Sequence, residues 1–142
     1  VTLASIVERE TLTDEERPIV AGILLKRLEA GWPLQADATL QYAIASVNCT
    51  LRKETSAAQS VKCEDWWPIP SSEDKKIKSL YNTYLNRGLP PGPIANPGLS
   101  SIKAVVSPQD SPYWFYLHDG NGKIHYAKTS EEHAENIRKY LQ

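Results

Sequence analysis

Tyr113-Trp114-Phe115-Tyr116-Leu117-His118 runs into Asp119-Gly120-Asn121-Gly122 and out again through Lys123 to Lys128. An aromatic run, a four-residue turn with two glycines and a return run of similar length read as an antiparallel hairpin. The segments on both sides carry helical periodicity instead. A hairpin flanked by amphipathic helices predicts an α+β fold, with several helices packed around a small antiparallel sheet. Downstream, Thr129 and Glu132 have capping-box spacing, so a last helix should follow with Ala134, Ile137 and Leu141 facing inward. Upstream, Asn96-Pro97 reads as the cap and first residue of a helix that buries Leu99, Ile102, Val105 and Val106 and stops near Ser107-Pro108.

The N-terminal stretch Leu3-Ala4-Ser5-Ile6-Val7-Glu8-Arg9-Glu10-Thr11 reads as one short helix. Leu3, Ile6 and Val7 recur at helical spacing and form a stripe for burial. Glu8 follows at the edge of that stripe, with the small residues Ala4 and Ser5 one turn back leaving room beside it. A carboxyl at an apolar border, its pKa raised by burial, is a candidate general acid. A surface glutamate on an ordinary helix is the competing reading. A second helix runs to about Glu29, opened by Thr13 with Glu16 or by Asp14. Its apolar face is Ile19, Val20, Ile23, Leu24 and Leu28, and Gly31 and Pro33 end it. Asp37 fits the cap of a short third helix holding Leu40, Tyr42, Ala43 and Ile44. From Ser46 to Ser72 the chain reads as a long loop, with Trp66 and Trp67 packed beneath it as a satellite core or displayed as a sugar-stacking surface. Ser72 would cap a weak helix from Glu73 to Lys78.

The chain has 142 residues, enough for one domain with a real core, and its net charge of −1 argues against a polyanion partner such as nucleic acid. No apolar run approaches a membrane span and no signal peptide is present. Methionine is absent even at position 1, and the chain opens inside a helix, so a fragment of a longer protein is expected. His118, His125 and His133 share no metal-like spacing, which predicts no metal, and no nucleotide or cofactor fingerprint appears. Cys49 and Cys63 are the two cysteines, with no CxxC or Cys/His cluster between or around them. They bracket a polar stretch, and a bridge there would contribute roughly 3 kcal/mol. The residues alone leave a bridge and two thiols equally open.

Tyr81 to Gly98 holds four prolines and three glycines, a rigid loop suited to fixing polar side chains along a binding wall. This loop, the Leu3 to Thr11 stretch, Glu16-Arg17-Pro18 with Lys26-Arg27-Leu28, and Leu34-Gln35-Ala36-Asp37-Ala38-Thr39 together resemble the YceG-like endolytic murein transglycosylases. Tyr113 to Asp119, Gly120-Asn121-Gly122 and Thr129 to His133 extend the resemblance over almost the whole chain. Two positions depart from the family's pattern: Ala38 stands where proline is expected, and the Ser46 to Pro70 segment is long and carries the cysteines.

The resemblance implies cleavage of peptidoglycan glycan strands between N-acetylmuramic acid and N-acetylglucosamine, leaving 1,6-anhydro ends. It places the family's acid on Glu8, with Glu10 expected to matter less. One carboxyl suffices for this lytic route, whereas hydrolysing glycosidases usually need two. Gln35, Asn82 and Asn96 are the expected donors near the transition state, Tyr84 a contact to a sugar face, and Asp37 a further substrate-binding residue. The rivals are a muramidase using Asp37 as second carboxylate and a non-catalytic glycan-binding module using Trp66 and Trp67. The resemblance further implies one catalytic domain over 1–142 of a longer, membrane-anchored protein with a LysM-like region. That protein would act outside the cell membrane beside the cell-wall synthesis machinery. An oxidising location of that kind implies a Cys49–Cys63 bridge.

Overall fold

The computed structural model describes residues 1–55 and 65–142. In chain order the elements are α1 (Thr2–Glu10), α2 (Glu16–Glu29), α3 (Asp37–Thr55), a single 3₁₀ turn (Asp74–Lys76), α4 (Leu99–Val106), β1 (Phe115–His118), β2 (Ile124–Ala127) and α5 (Ser130–Tyr140). This is the expected α+β arrangement. The strands pair antiparallel, Phe115 opposite Ala127 and His118 opposite Ile124. Asp119 locks the turn between them, its Oδ1 accepting the N–H groups of Asn121 and Lys123 at 2.8 and 3.0 Å. Gly122 sits at φ 79°, a left-handed position that glycine adopts without steric cost.

Leu3, Ile6 and Val7 of α1 meet Val20, Ala21 and Leu24 of α2 in the core, joined by Leu34, Ala36, Ala38, Ile94 and Ala104. Full burial of a leucine or isoleucine side chain contributes about 1.5–3 kcal/mol, so the α1–α2 seam is a main source of cohesion. Gly22 marks the crossing of the segment after α4 over α2: a Cβ there would run into the Gln109 carbonyl. Arg27 is buried at 6% exposure, its guanidinium donating to the carbonyls of Leu34 and Trp114. It thereby ties the α2–α3 connection to the start of the hairpin.

Four local expectations are corrected. The third helix does not stop near Ile44 but continues to Thr55, across part of the expected loop. No glycine or proline interrupts the sequence from Asp37 to Thr55, and burial of Ile44, Ala45 and Cys49 anchors the extension. The cap of α4 is Gly98, not Asn96, and α4 buries Ser101 and Ala104 while Leu99, Ile102 and Val106 stay 65%, 39% and 77% exposed. It lies against both α1 and α2, and close approach favours its small residues over its large ones. Glu15 stands at the cap of α2 without a side-chain bond, and Glu16 reaches back to the Leu12 N–H at 2.9 Å. On α5, Thr129 caps as expected, but no residue of the helix is fully buried. It meets the hairpin through His133 stacked on Phe115, Tyr140 stacked on His125 and the Asn136 amide donating to the Tyr126 carbonyl, while Ala134, Ile137 and Leu141 stay exposed and do not enter the core.

Trp67 packs against the core under the Arg9 guanidinium, 3.7 Å from its ring centroid, and Trp66 stacks on Tyr42. Cys49 lies on α3, and Cys63 falls outside the described residues, as does the expected bridge.

Candidate active site

Side chains two positions apart on a helix point about 200° apart, so Glu8 and Glu10 face different parts of the molecule. Glu8 faces α4. Its Oε2 accepts the Gly98 N–H at 3.2 Å and the Ser101 hydroxyl, and Arg17 lies 3.7 Å from Oε1. The hydroxyl of Ser101, then the Gly98 N–H and the Arg17 and Arg9 charges, outweigh partial desolvation and hold the Glu8 carboxyl below the usual glutamate range. This corrects the raised pKa expected there. The space that Ala4 and Ser5 were expected to leave open is filled: both are buried, and the Ser5 hydroxyl accepts the Ile94 N–H at 3.0 Å.

Glu10 faces a cavity of about 580 Å³, a size typical of small-ligand sites, that Arg27, Gln35, Asp37, Lys75, Tyr84, Tyr116 and His118 help to line. Glu10 itself is partly buried, and its carboxyl is held by two donors. Oε1 accepts the Ala38 N–H at 2.8 Å and Oε2 accepts the Tyr116 hydroxyl at 2.7 Å. Desolvation is the largest influence and pushes the Glu10 pKa up, against those two bonds; the nearby Asp37 charge pushes the same way. The Tyr116 phenol is itself held protonated by burial and by Glu10, so it remains a donor.

Three of the five expected binding residues meet Glu10 in this cavity. Asp37 opens α3, but its carboxylate does not cap the helix; its Oδ1 accepts the Tyr84 hydroxyl at 2.5 Å. Burial and the Asp37 bond push the Tyr84 pKa well up, and the Lys75 ammonium lies 4.8 Å from the Tyr84 ring centroid. Gln35 lines the cavity at φ 51°, a left-handed position for a non-glycine residue, of the kind that costs about 1–3 kcal/mol and gathers at functional sites. Its N–H donates to the Thr83 carbonyl at 3.2 Å.

The other two lie elsewhere. Asn82 is fully buried and its amide is consumed in shaping the loop, donating to the carbonyls of Lys75 and Ile77 and accepting the Tyr84 N–H. Asn96 is exposed and does not line the cavity. Arg27, Lys75, Tyr116, His118 and His133 also line the wall, beside the apolar Phe115, Leu117, Ile137 and Leu141, without having been predicted as site residues from sequence. His118 is pinned by Glu16, 3.0 Å away, and the Nδ1 of His133 is buried without a partner. Among the described residues, no group of three or more His, Cys, Asp or Glu is placed to hold a metal ion. No helix there is long and apolar enough to cross a membrane.

The fold is thus an α+β domain that sets a largely desolvated glutamate in a cavity lined by tyrosines and other polar side chains together with apolar ones, an arrangement found at many ligand-binding sites. The chain belongs to the YceG-like family, whose sequence profile matches residues 1–139. It is 34% identical over 140 residues to the endolytic murein transglycosylase of Bacillus subtilis (strain 168), covering 99% of this chain and 34% of that protein. The endolytic murein transglycosylase of Streptococcus pneumoniae serotype 2 (strain D39) is 32% identical over 141 residues, covering 99% of this chain and 23% of that protein. The chain thus spans about a third or less of these relatives. The crystal structure of a YceG-like protein from Listeria monocytogenes superposes with a TM-score of 0.74 at 34% identity, covering 94% of this chain and 38% of that one.

Proposed function

We propose that this chain is the catalytic unit of a lytic transglycosylase that cuts peptidoglycan glycan strands between N-acetylmuramic acid and N-acetylglucosamine, with Glu10 as acid and then base. The names of its relatives support the reaction class. The placing of the Glu10 carboxyl, desolvated by its surroundings, in the cavity that also holds Gln35, Asp37 and Tyr84 carries the assignment within the chain. Assigning the acid to Glu10 moves that role two residues along α1 from Glu8, whose carboxylate is engaged by α4.

Protonated Glu10 donates to the glycosidic oxygen as the bond to C1 of the muramic acid breaks. The ring then carries oxocarbenium character, which the Asp37 carboxylate opposes with its negative charge. The C6 hydroxyl of the same sugar attacks C1 and gives its proton to the Glu10 carboxylate. A 1,6-anhydro ring forms, the acid is regenerated and no water is consumed.

The muramidase reading has one observation in its favour, since Asp37 lies in the same cavity as Glu10. Mass spectrometry of digested murein separates the two: anhydro ends support the lytic route, and reducing ends would replace it with hydrolysis. The glycan-binding module loses half of its two-tryptophan platform, because Trp67 is packed against the core and covered by Arg9 while Trp66 alone stays exposed.

The same reading takes the chain as part of a membrane-anchored protein working on the outer side of the cell membrane, alongside cell-wall synthesis. It pairs Cys49 with Cys63 in that oxidising space. Thiol titration of the unreduced, denatured protein tests the pairing, and two titratable thiols per chain would refute it.

A further inference from the structure

Glu10 is held by two donors, and one of them belongs to the backbone. The Ala38 N–H lies in the first turn of α3, where amide hydrogens have no partner within their own helix. It points at Glu10 Oε1 across 2.8 Å. Ala38 is 2% exposed, so water does not compete for this bond. The position is fixed from both sides: the Ala36 N–H donates to the Thr83 hydroxyl at 3.1 Å, and Thr39 and Thr83 share a hydroxyl bond of 2.7 Å. The start of α3 is therefore clamped to the segment that carries Tyr84, and its amide cannot drift from the carboxyl. A proline at this position would have no N–H to give.

We propose that the Ala38 amide is a positioning residue that sets the proton affinity of Glu10, so that this chain's acid titrates lower than it would with proline at the same place. The inference rests on Glu10 being the proton carrier for its consequence in catalysis, but not for its effect on titration. A charged acceptor facing an N–H and the positive end of a helix is stabilised as the carboxylate. The other groups facing Glu10 are Arg27 from α2, Asp37 from α3, Tyr84 from the 81–98 segment, and Tyr116 and His118 from β1. None of these is altered when one amide hydrogen is removed. The consequence is a division of labour. The amide weakens Glu10 as a base in the second step and lowers the pH at which it gives up its proton. Tyr116 holds the other oxygen in place.

The cleanest test replaces Ala38 by lactic acid, introduced as an α-hydroxy acid. The amide then becomes an ester, which puts an oxygen in place of the N–H and keeps the side chain and the backbone shape. The carboxyl carbon of Glu10 is followed by NMR against pH in this variant, in wild type, in Ala38→Gly, which keeps the N–H, and in Ala38→Pro. A proline also restricts Asp37 before it, so the ester variant decides if the proline variant fails to fold. The Glu10 midpoint should rise by about one pH unit in the ester and proline variants and stay put in Ala38→Gly. An unchanged midpoint in the folded ester variant overturns the proposal. The alkaline limb of kcat/KM on murein should move with the midpoint. A midpoint that moves while the limb does not would uphold the amide's effect and remove Glu10 from the acid's role.

Discussion

The two faces of α1 treat a glutamate in opposite ways. On one, Glu8 meets a hydroxyl, an amide and an arginine at the seam with α4, and its charge is stabilised. On the other, Glu10 lines a cavity where burial disfavours its charge and pushes its pKa up. The residue type is the same and the backbone is the same helix. What differs is how many donors meet the carboxyl relative to the water it loses. A carboxylate held charged joins elements together; a carboxyl that holds its proton can deliver it.

The largest expected effect divides the two faces most sharply. Glu10→Gln should lower murein cleavage by roughly 10²–10⁴, the usual loss for a general acid, with the fold kept. Glu8→Gln should stay within about tenfold of wild type, since its carboxyl contributes through α4 packing and not through proton transfer. Release of soluble muropeptides by both variants, with thermal unfolding as a check on folding, tests this. The reverse ranking would return the acid to Glu8.

The pH dependence sharpens the same contrast. As the proposed acid, Glu10 would act in its protonated form, and burial raises its pKa, so kcat/KM should fall only as pH climbs past a limb above the ordinary glutamate value of 4.5. A pH–rate profile with its falling limb at or below that value would break the assignment. Next in size is Tyr84→Phe, which strips the hydroxyl from Asp37 at the cavity wall. It should cost about tenfold in kcat/KM, the equivalent of one hydrogen bond to a charged group, while Ser101→Ala, on the Glu8 side, should leave kcat/KM within twofold.

The smallest effect belongs to stability. Glu8→Gln and Ser101→Ala should each destabilise the fold by about 1 kcal/mol at neutral pH, by loosening α4 from α1. The folded pKa of Glu8 lies below its unfolded value, so its contribution is present above the unfolded pKa and disappears as pH falls through the folded one. The deficit of Glu8→Gln, read from urea unfolding, should therefore shrink on acidification below the ordinary glutamate range. A deficit that grows instead would mean that Glu8 is not held as its geometry indicates.

Local pattern determined much of this molecule. The hairpin from aromatic runs and a glycine turn, the α1 stripe of Leu3, Ile6 and Val7, the Thr129 cap and the α+β class all follow from spacing and turn chemistry within a few residues. The family was legible as well, because several motifs in order outweigh any one. The burial of Glu10 even left a signal: it stands three, four and seven residues after Val7, Ile6 and Leu3, on the buried stripe itself, whereas Glu8 lies at its edge. Tertiary structure alone decided what covers each face. Nothing near Glu8 in the chain announces Ser101, and nothing near Glu10 announces Tyr116, since those partners lie 93 and 106 residues away. Likewise Asn82 and Tyr84 share one loop, yet backbone carbonyls capture the first and Asp37 captures the second. Desolvation and hydrogen bonding depend on what packs against a side chain in space, and sequence spacing cannot supply that.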